Sequence, residues 1–274
     1  MKKLCLIAIT LLTICSCEKE KTEIEVPIKS QFVNLTSHKL ASYYTKTNSK
    51  YLIVFESGLG DDHAVWQQQP GEIAKNTARK MDVLMYDRGG YGSSTLGNTE
   101  RNIECLSSEL DKVINTYSNN RKVILVGHEL GGMVVRDYAI KHSEKTAAIL
   151  FVDALHEQYN NFTESDEQTI YSISALFNGR ASGAALEALQ LREDDEYMSS
   201  LPNLPDVPVI ALTSIKIEGD KDKQDRELWF HSKESLKEGV SDFEHITTAQ
   251  SEHIMKEEPN LVLDALDNLI SKLP

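Results

Sequence analysis

At 274 residues the chain is long enough for one large α/β domain with a covering insertion, and a second independent domain would be cramped. Its 29 basic and 42 acidic residues leave a formal net charge of −13, which argues against nucleic acid and against direct binding to an anionic membrane surface. The helical stretch at about 156–205 has neither metal-ligand spacing nor a glycine-rich phosphate loop, and no cofactor or metal is implied.

Lys2 and Lys3 precede an apolar run, Leu4 to Ile14, that is too short to span a bilayer and reads as an export signal. Ile14-Cys15-Ser16-Cys17 resembles a bacterial lipobox, with Ser16 before the cut and Cys17 as the lipidated first residue. The expected organisation is therefore a signal at 1–16, a flexible Glu/Lys-rich tether at 17–31, and a folded domain at 32–274. The protein would be exported and held to a membrane through lipid on Cys17, facing the periplasm or the cell surface. Cys5 and Cys15 leave with the signal, so Cys105 is the one cysteine in the folded part and no intramolecular disulfide can form there.

Tyr51-Leu52-Ile53-Val54-Phe55 and Met81-Asp82-Val83-Leu84-Met85-Tyr86 are short aliphatic runs of the kind that form buried strands. The first leads into Glu56-Ser57-Gly58-Leu59-Gly60, the second into Asp87-Arg88-Gly89-Gly90-Tyr91-Gly92-Ser93-Ser94. Ile103, Leu106, Leu110, Val113, Ile114 and Tyr117 then recur at helical spacing, with Cys105 off the stripe, where it reads as a structural thiol. Arg121 to Val126 is a third strand. Gly127-His128-Glu129-Leu130-Gly131 follows, and Leu130, Met133, Val134 and Tyr138 lie on one face of the next helix. A fourth strand, Ala147 to Asp153, closes on an acid.

About fifty residues of helical character separate it from the strand Val207 to Leu212. Within them, Leu176, Ala184, Ala185, Leu186, Ala188, Leu189 and Leu191 suggest one apolar, small-residue helix, and Asp194-Asp195-Glu196 a solvated turn. Near the end, Ser251-Glu252-His253 precedes a helix whose stripe is Val262, Ala265, Leu266, Leu269 and Ile270.

Strand, glycine-flanked turn and helix around residue 129, the glycine-rich loop after Phe55, the D-R-G-x-G-x-S segment and the late histidine resemble, in this order, the α/β-hydrolase superfamily. The resemblance runs from about Phe32 to the end. It implies a mostly parallel central sheet flanked by helices, with a helical cap at about 156–205 over a small-molecule site. It also implies an elbow at residue 129, where a glutamate stands in place of the nucleophilic serine. The backbone N–H groups of Leu59 and Leu130 would form the oxyanion hole and His253 would be the catalytic histidine. The acid would be Asp153 or, after the following strand, Glu218, Asp220 or Asp222. His128 is a common passenger of the elbow, and His156 would line the pocket.

Three roles for Glu129 follow. Its carboxylate could be a nucleophile, although its reach exceeds that of aspartate by about 1.3 Å. It could act as a general base on water, which needs a raised pKa. Or it could disable the site by folding onto the oxyanion donors, leaving a lipid-anchored ligand-binding protein. Loss of the serine from a triad costs on the order of a million-fold in turnover.

Overall fold

The computed structural model describes residues 26–98, 100–217 and 222–274. Eight strands form one sheet in the order β1-β2-β4-β3-β5-β6-β7-β8. They are β1 (Lys29–Asn34), β2 (Lys39–Tyr44), β3 (Leu52–Glu56), β4 (Asp82–Tyr86), β5 (Val123–His128), β6 (Thr146–Val152), β7 (Val209–Ser214) and β8 (Phe243–Thr248). β2 pairs antiparallel with both β1 and β4, and every other pairing in the sheet is parallel. Lys29 to Gln31, the end of the expected tether, pair with Tyr44 to Ser42 as the first half of β1.

The aliphatic runs form strands because both of their faces find cover. Leu52 and Val54 of β3 enter a core with α2 (Ile103–Tyr117) and α3 (Leu130–Lys141), while Ile53 and Phe55 enter a second core with α1 (Ile73–Ala78) and α10 (Pro259–Ser271). That alternation is the two-residue period of a strand. α10 starts on Pro259, whose missing N–H costs a first turn nothing, and it buries Val262, Ala265, Leu266 and Leu269. Each valine or leucine so buried contributes about 1.5–3 kcal/mol.

The insertion after β6 is a cap of four helices, α4 (Glu157–Asn160), α5 (Glu164–Asn178), α6 (Gly183–Ala188) and α7 (Leu191–Ser199). The single apolar helix expected from Leu176 to Leu191 is in fact three pieces. Gly179, at φ +92°, ends α5, and Ser182 caps α6. Leu176 accordingly lies exposed on α5, away from Ala184, Ala185 and Ala188, which are buried. Asp194-Asp195-Glu196 lies inside α7 and not in a solvated turn. Asp194 is buried and accepts the Ile103 N–H at 2.8 Å, satisfying a first-turn donor of α2. Burial pushes its carboxyl up to about 8. Beyond the cap, α8 (Asp222–Glu234) follows β7 and α9 (Ile254–Glu257) follows β8.

Candidate active site

Glu129 stands between the last residue of β5 and the first of α3, with φ +47° and ψ −121°. A side chain in that backbone region is strained and persists only where its surroundings fix it. Its N–H meets the Val152 carbonyl at 3.4 Å, and its own carbonyl accepts from Gly132 at 2.9 Å and Leu155 at 3.0 Å. The close passage depends on Gly131: a Cβ there would stand 2.5 Å from the carbonyl oxygens of Glu56 and Ser57. β3, the loop after it and the start of α3 are thus pressed together.

The half-buried carboxylate of Glu129 turns toward that loop. Oε2 lies 2.6 Å from where a Cβ on Gly58 would be, and the nearby Leu59 N–H favours the charged form of the carboxylate. Of the two oxyanion donors expected from the sequence, the Leu59 N–H is the one that the chain's own side chain approaches. Leu130 opens α3, where first-turn N–H groups have no carbonyl four residues back. Burial, then the charges of Asp61 and Asp153, push Glu129 up to about 7, against the Leu59 bond and the Arg88 charge.

Arg88, the arginine of the D-R-G segment, fixes the loop from beneath. It donates to the carbonyls of Ser57 (2.6 Å) and Gly58 (2.8 Å) and to Glu56 (2.9 Å). Its other partner is Glu187 of α6, at 3.0 Å from Nη2. Glu187 also accepts from Arg101 at 3.1 Å, and Arg101 bonds both oxygens of Glu109 at 2.8 and 2.9 Å. Five buried ionic side chains thus run from the oxyanion loop through the cap to α2. Sequence reasoning missed this chain, although Glu187 is the lone charge in a small-residue helix and Arg88 the lone cation in its turn.

Asp153 follows β6 at φ +44° and accepts the Ser214 N–H at 2.7 Å. Burial raises its carboxyl to about 6 despite that bond and the charges of Lys233 and Arg226. Lys233 is buried, with Nζ 3.3 Å from the centroid of the Trp229 ring and 3.1 Å from Ser232 Oγ. Its burial pulls the ammonium well below the usual lysine range, resisted by Asp153 and Glu157. The spacing of residues 229 and 233, one helical turn, was the available signal for this pair.

His253 is exposed at the start of α9, where its backbone N–H meets Glu257 at 3.3 Å. Its charge is felt by His128; among the described residues its ring makes no hydrogen bond to Glu129 or Asp153. The structure brings Glu129, Leu59 and Asp153 to one edge of the sheet and leaves His253 outside their hydrogen bonds. Glu218 and Asp220 lie outside the described residues, as do the side chain of Asp222 and all of the segment containing Cys17.

His128 is held neutral, its pKa pulled down to about 4 by burial and by Lys256 and His253. His156 is buried, 3.2 Å from Ser235 Oγ and accepting the Gln158 N–H, and it lines a cavity of about 170 Å³ with Arg136, Glu157 and Ser235. Asp62, His63 and Asp87 come close enough together to suggest a cation. Asp87 nevertheless spends its oxygens on His63 Nδ1 (2.6 Å), the N–H groups of His63 and Ser93, and the Tyr43 hydroxyl. Burial alone would raise it; those bonds hold it below the ordinary aspartate range. The group reads as a clamp on the turn after β4. Cys105 is half-buried in the first turn of α2, and burial raises its thiol, as suits a structural role.

An eight-stranded, mostly parallel sheet with a strained residue at the strand–helix turn, a glycine-containing loop beside it and a helical insertion after β6 defines a hydrolase-like scaffold. The family described as alpha/beta hydrolase fold matches residues 51–228, and the chain belongs to it. Abhydrolase domain-containing protein abhd-5.2 of Caenorhabditis elegans is 25% identical over 163 residues, 57% of this chain and 36% of that protein. The uncharacterized protein YbdG of Bacillus subtilis is 24% identical over 132 residues, 48% of this chain and 40% of its own length. The chain thus spans well under half of these relatives. Among solved structures, the epoxide hydrolase CorEH superposes with a TM-score of 0.68 at 15% identity, covering 90% of this chain and 99% of that one. Mouse alpha/beta hydrolase domain-containing protein 10 gives 0.63 at 19%, covering 89% and 99%. At such identities the likeness is one of fold.

Proposed function

We propose that this chain is a hydrolase-fold protein without serine-type hydrolytic activity, whose Glu129 occupies the oxyanion hole and converts the site into a binding site for a small molecule under the cap. The observation that carries this reading is the Glu129 carboxylate turned into the loop of Gly58 and Leu59, with Oε2 2.6 Å from where a Gly58 Cβ would stand. An oxyanion donor acts by meeting charge that develops only in the transition state. A donor already paired with a resident anion has no such difference to offer. That the His253 ring makes no hydrogen bond to Glu129 or Asp153 among the described residues supports the same view, since a general base works from hydrogen-bond reach.

The test is turnover of short acyl esters by the wild-type chain beside Glu129→Gln. Equal, background-level rates are expected. A wild-type rate a hundredfold above Glu129→Gln would sink the proposal.

A second reading is favoured by the titration of Glu129 at about 7. A carboxylate poised there is suited to general-base attack by water. It predicts turnover that rises through pH 7, disappears in Glu129→Gln, and leaves no oxygen-18 from solvent in the protein. Label appearing in Glu129 would instead indicate a covalent ester, the carboxylate-nucleophile route.

We further propose export and acylation at Cys17, on the strength of Lys2-Lys3, the apolar run and the lipobox-like residues 14–17. Mass spectrometry of the membrane-extracted protein should find a lipid-modified N-terminal peptide in the wild type and none in Cys17→Ala.

A further inference from the structure

The charge of this chain is unevenly distributed. Residues 26–55 contain four lysines and no acidic residue, whereas from Glu56 onward 21 basic residues face 38 acidic ones. The fold brings three of these, Lys29, Lys46 and Lys50, together with Lys122 to one edge of the sheet, while Lys39, paired with Asn34, lies at the other. Lys29 begins β1 and pairs with Tyr44, the last residue of β2, so it lies at the edge where Lys46 leaves β2. Lys50 precedes β3, and Lys122 immediately precedes β5, its carbonyl accepting the Leu52 N–H. All four lysines are exposed. They lie at the N-terminal ends of the parallel strands, opposite the edge that carries Glu129 and Asp153. From β1 to β5 is four strand spacings, about 19 Å.

Lys29, Lys46 and Lys122 make no ion pair with any described residue, and Lys50 donates to the Pro274 carbonyl. In this half of the edge the carboxylate of Asp82 is buried, and Arg121 at 2.5 Å and Thr47 consume it. Arg121 also covers the last carbonyls of α2, at 3.2 Å from Tyr117 and 2.8 Å from Ser118, which removes the negative end of that helix from the surface. Between them sits a cavity of about 250 Å³ lined by Gln31, Lys46, Thr116, Asn119 and Arg121, among others. It is of mixed character, lined also by Tyr44, Leu52 and Tyr117, with Lys46 and Arg121 at its edge, and it is large enough for a phosphate group.

We propose that this edge, from β1 to β5, is a docking face for an anionic phospholipid headgroup layer, with Lys29, Lys46, Lys50 and Lys122 as its contacts. The acidic remainder is repelled by the same layer, so the charge asymmetry orients the molecule with its cap and elbow turned away from the lipid. The described residues begin at Val26, just before Lys29 at this edge, so an N-terminal anchor and the lysine face would act on the same side. A net charge of −13 excludes indiscriminate attraction to such a surface and is compatible with attraction through one face.

Each lysine brought to an anionic surface contributes about a fivefold gain in partitioning, screened by salt. The test is co-sedimentation of the full chain with vesicles of phosphatidylcholine alone and with about one-third phosphatidylglycerol. Insertion of residues 4–14 acts on both vesicle types, so the ratio between them reports the charged face independently of any anchor and of the elbow chemistry. We expect a preference for the anionic vesicles of about tenfold or more at low salt, abolished near 0.5 M NaCl. The set Lys29→Glu, Lys46→Glu, Lys50→Glu, Lys122→Glu should lose it. A control with the same charge change elsewhere, Lys75→Glu, Lys112→Glu, Lys223→Glu, Lys237→Glu, should keep it within about threefold. No preference in the wild type, or equal loss in both sets, overturns the proposal. Should the fourfold variant fail to fold, Lys29→Gln with Lys122→Gln, both at exposed side chains, takes its place, and an unchanged preference in that pair overturns the proposal as well.

Discussion

Arg88 and Glu129 meet one peptide plane from opposite sides. The Arg88 guanidinium donates to the Gly58 carbonyl at 2.8 Å, and the N–H of the same trans peptide, that of Leu59, acts on the Glu129 carboxylate and favours its charged form. In a planar trans peptide the C=O and N–H point in opposite directions, so fixing one aims the other. Arg88 therefore orients the Leu59 N–H, and Glu187 of the cap, bonded to Arg88, makes that orientation depend on how the cap sits.

Loss of the Arg88 charge should destabilise the whole domain. Arg88→Gln leaves Glu56 and Glu187 buried without their shared cation. Removing one partner from a buried ion network costs about 3–5 kcal/mol, because the remaining charges have neither water nor a counter-ion. Burial already raises Glu56 above the usual carboxylate range even with Arg88 in place. Urea unfolding at neutral pH should show this loss; a difference under about 1 kcal/mol would mean that water reaches the network.

Much of this architecture was legible in the sequence, and the reason is local. Ile53, Val83, Leu125 and Ile149 sit in aliphatic runs that only a two-sided core accommodates, and the glycines around Glu129 mark where backbones touch. The ionic chain was not legible, since Arg88 and Glu187 are 99 residues apart and neither spells its partner. The cap was misread for a related reason. Alanines and leucines from Leu176 to Leu191 share a helical composition, but Gly179 interrupts them, and Asp194 is buried because α2 offers it a first-turn donor. His253 was placed by its distance from the last helix, and a position in the chain does not fix where a loop side chain points.

Stability should vary with pH through Glu129 in a definite direction. Its folded pKa of about 7 lies above the ordinary value of 4.5, so between the two the folded state holds a proton that the unfolded state has released. That contribution is fully present below about pH 4.5 and is lost as pH rises through 7. Glu129→Gln cannot ionise. Its stability relative to the wild type should therefore improve from pH 5 to pH 8, by about 1–2 kcal/mol once partial exposure is discounted. Paired urea melts at the two pH values decide it, and a difference that is flat or reversed would show that the carboxylate titrates near its ordinary value.

Strain in the backbone of Glu129 should be open to relief by glycine. At φ +47° a Cβ is crowded, and such strain at a single residue is worth about 1–3 kcal/mol. Glu129→Gly should raise the unfolding free energy by about 1 kcal/mol after the entropy of the unfolded glycine is set against it. A gain in stability at the elbow itself is the signature of a site kept under strain for function. Measured destabilisation of this variant would indicate that the Leu59 bond outweighs the strain.

Gly58 tests whether the carboxylate rests in the oxyanion loop. A Cβ at Gly58 would stand 2.6 Å from Glu129 Oε2, 3.0 Å from His128 Nδ1 and 3.1 Å from Glu129 Cβ. Gly58→Ala must then displace the Glu129 side chain or the loop, at a cost of about 1–3 kcal/mol. Two of the three contacts belong to residue 129, so Glu129→Gly in the same chain removes them and leaves only His128. The two substitutions should therefore be non-additive, with a coupling of at least about 1 kcal/mol in a double-mutant cycle. Additive behaviour would place the carboxylate outside the hole, and with it would go the reading of Glu129 as the occupant of its own oxyanion site.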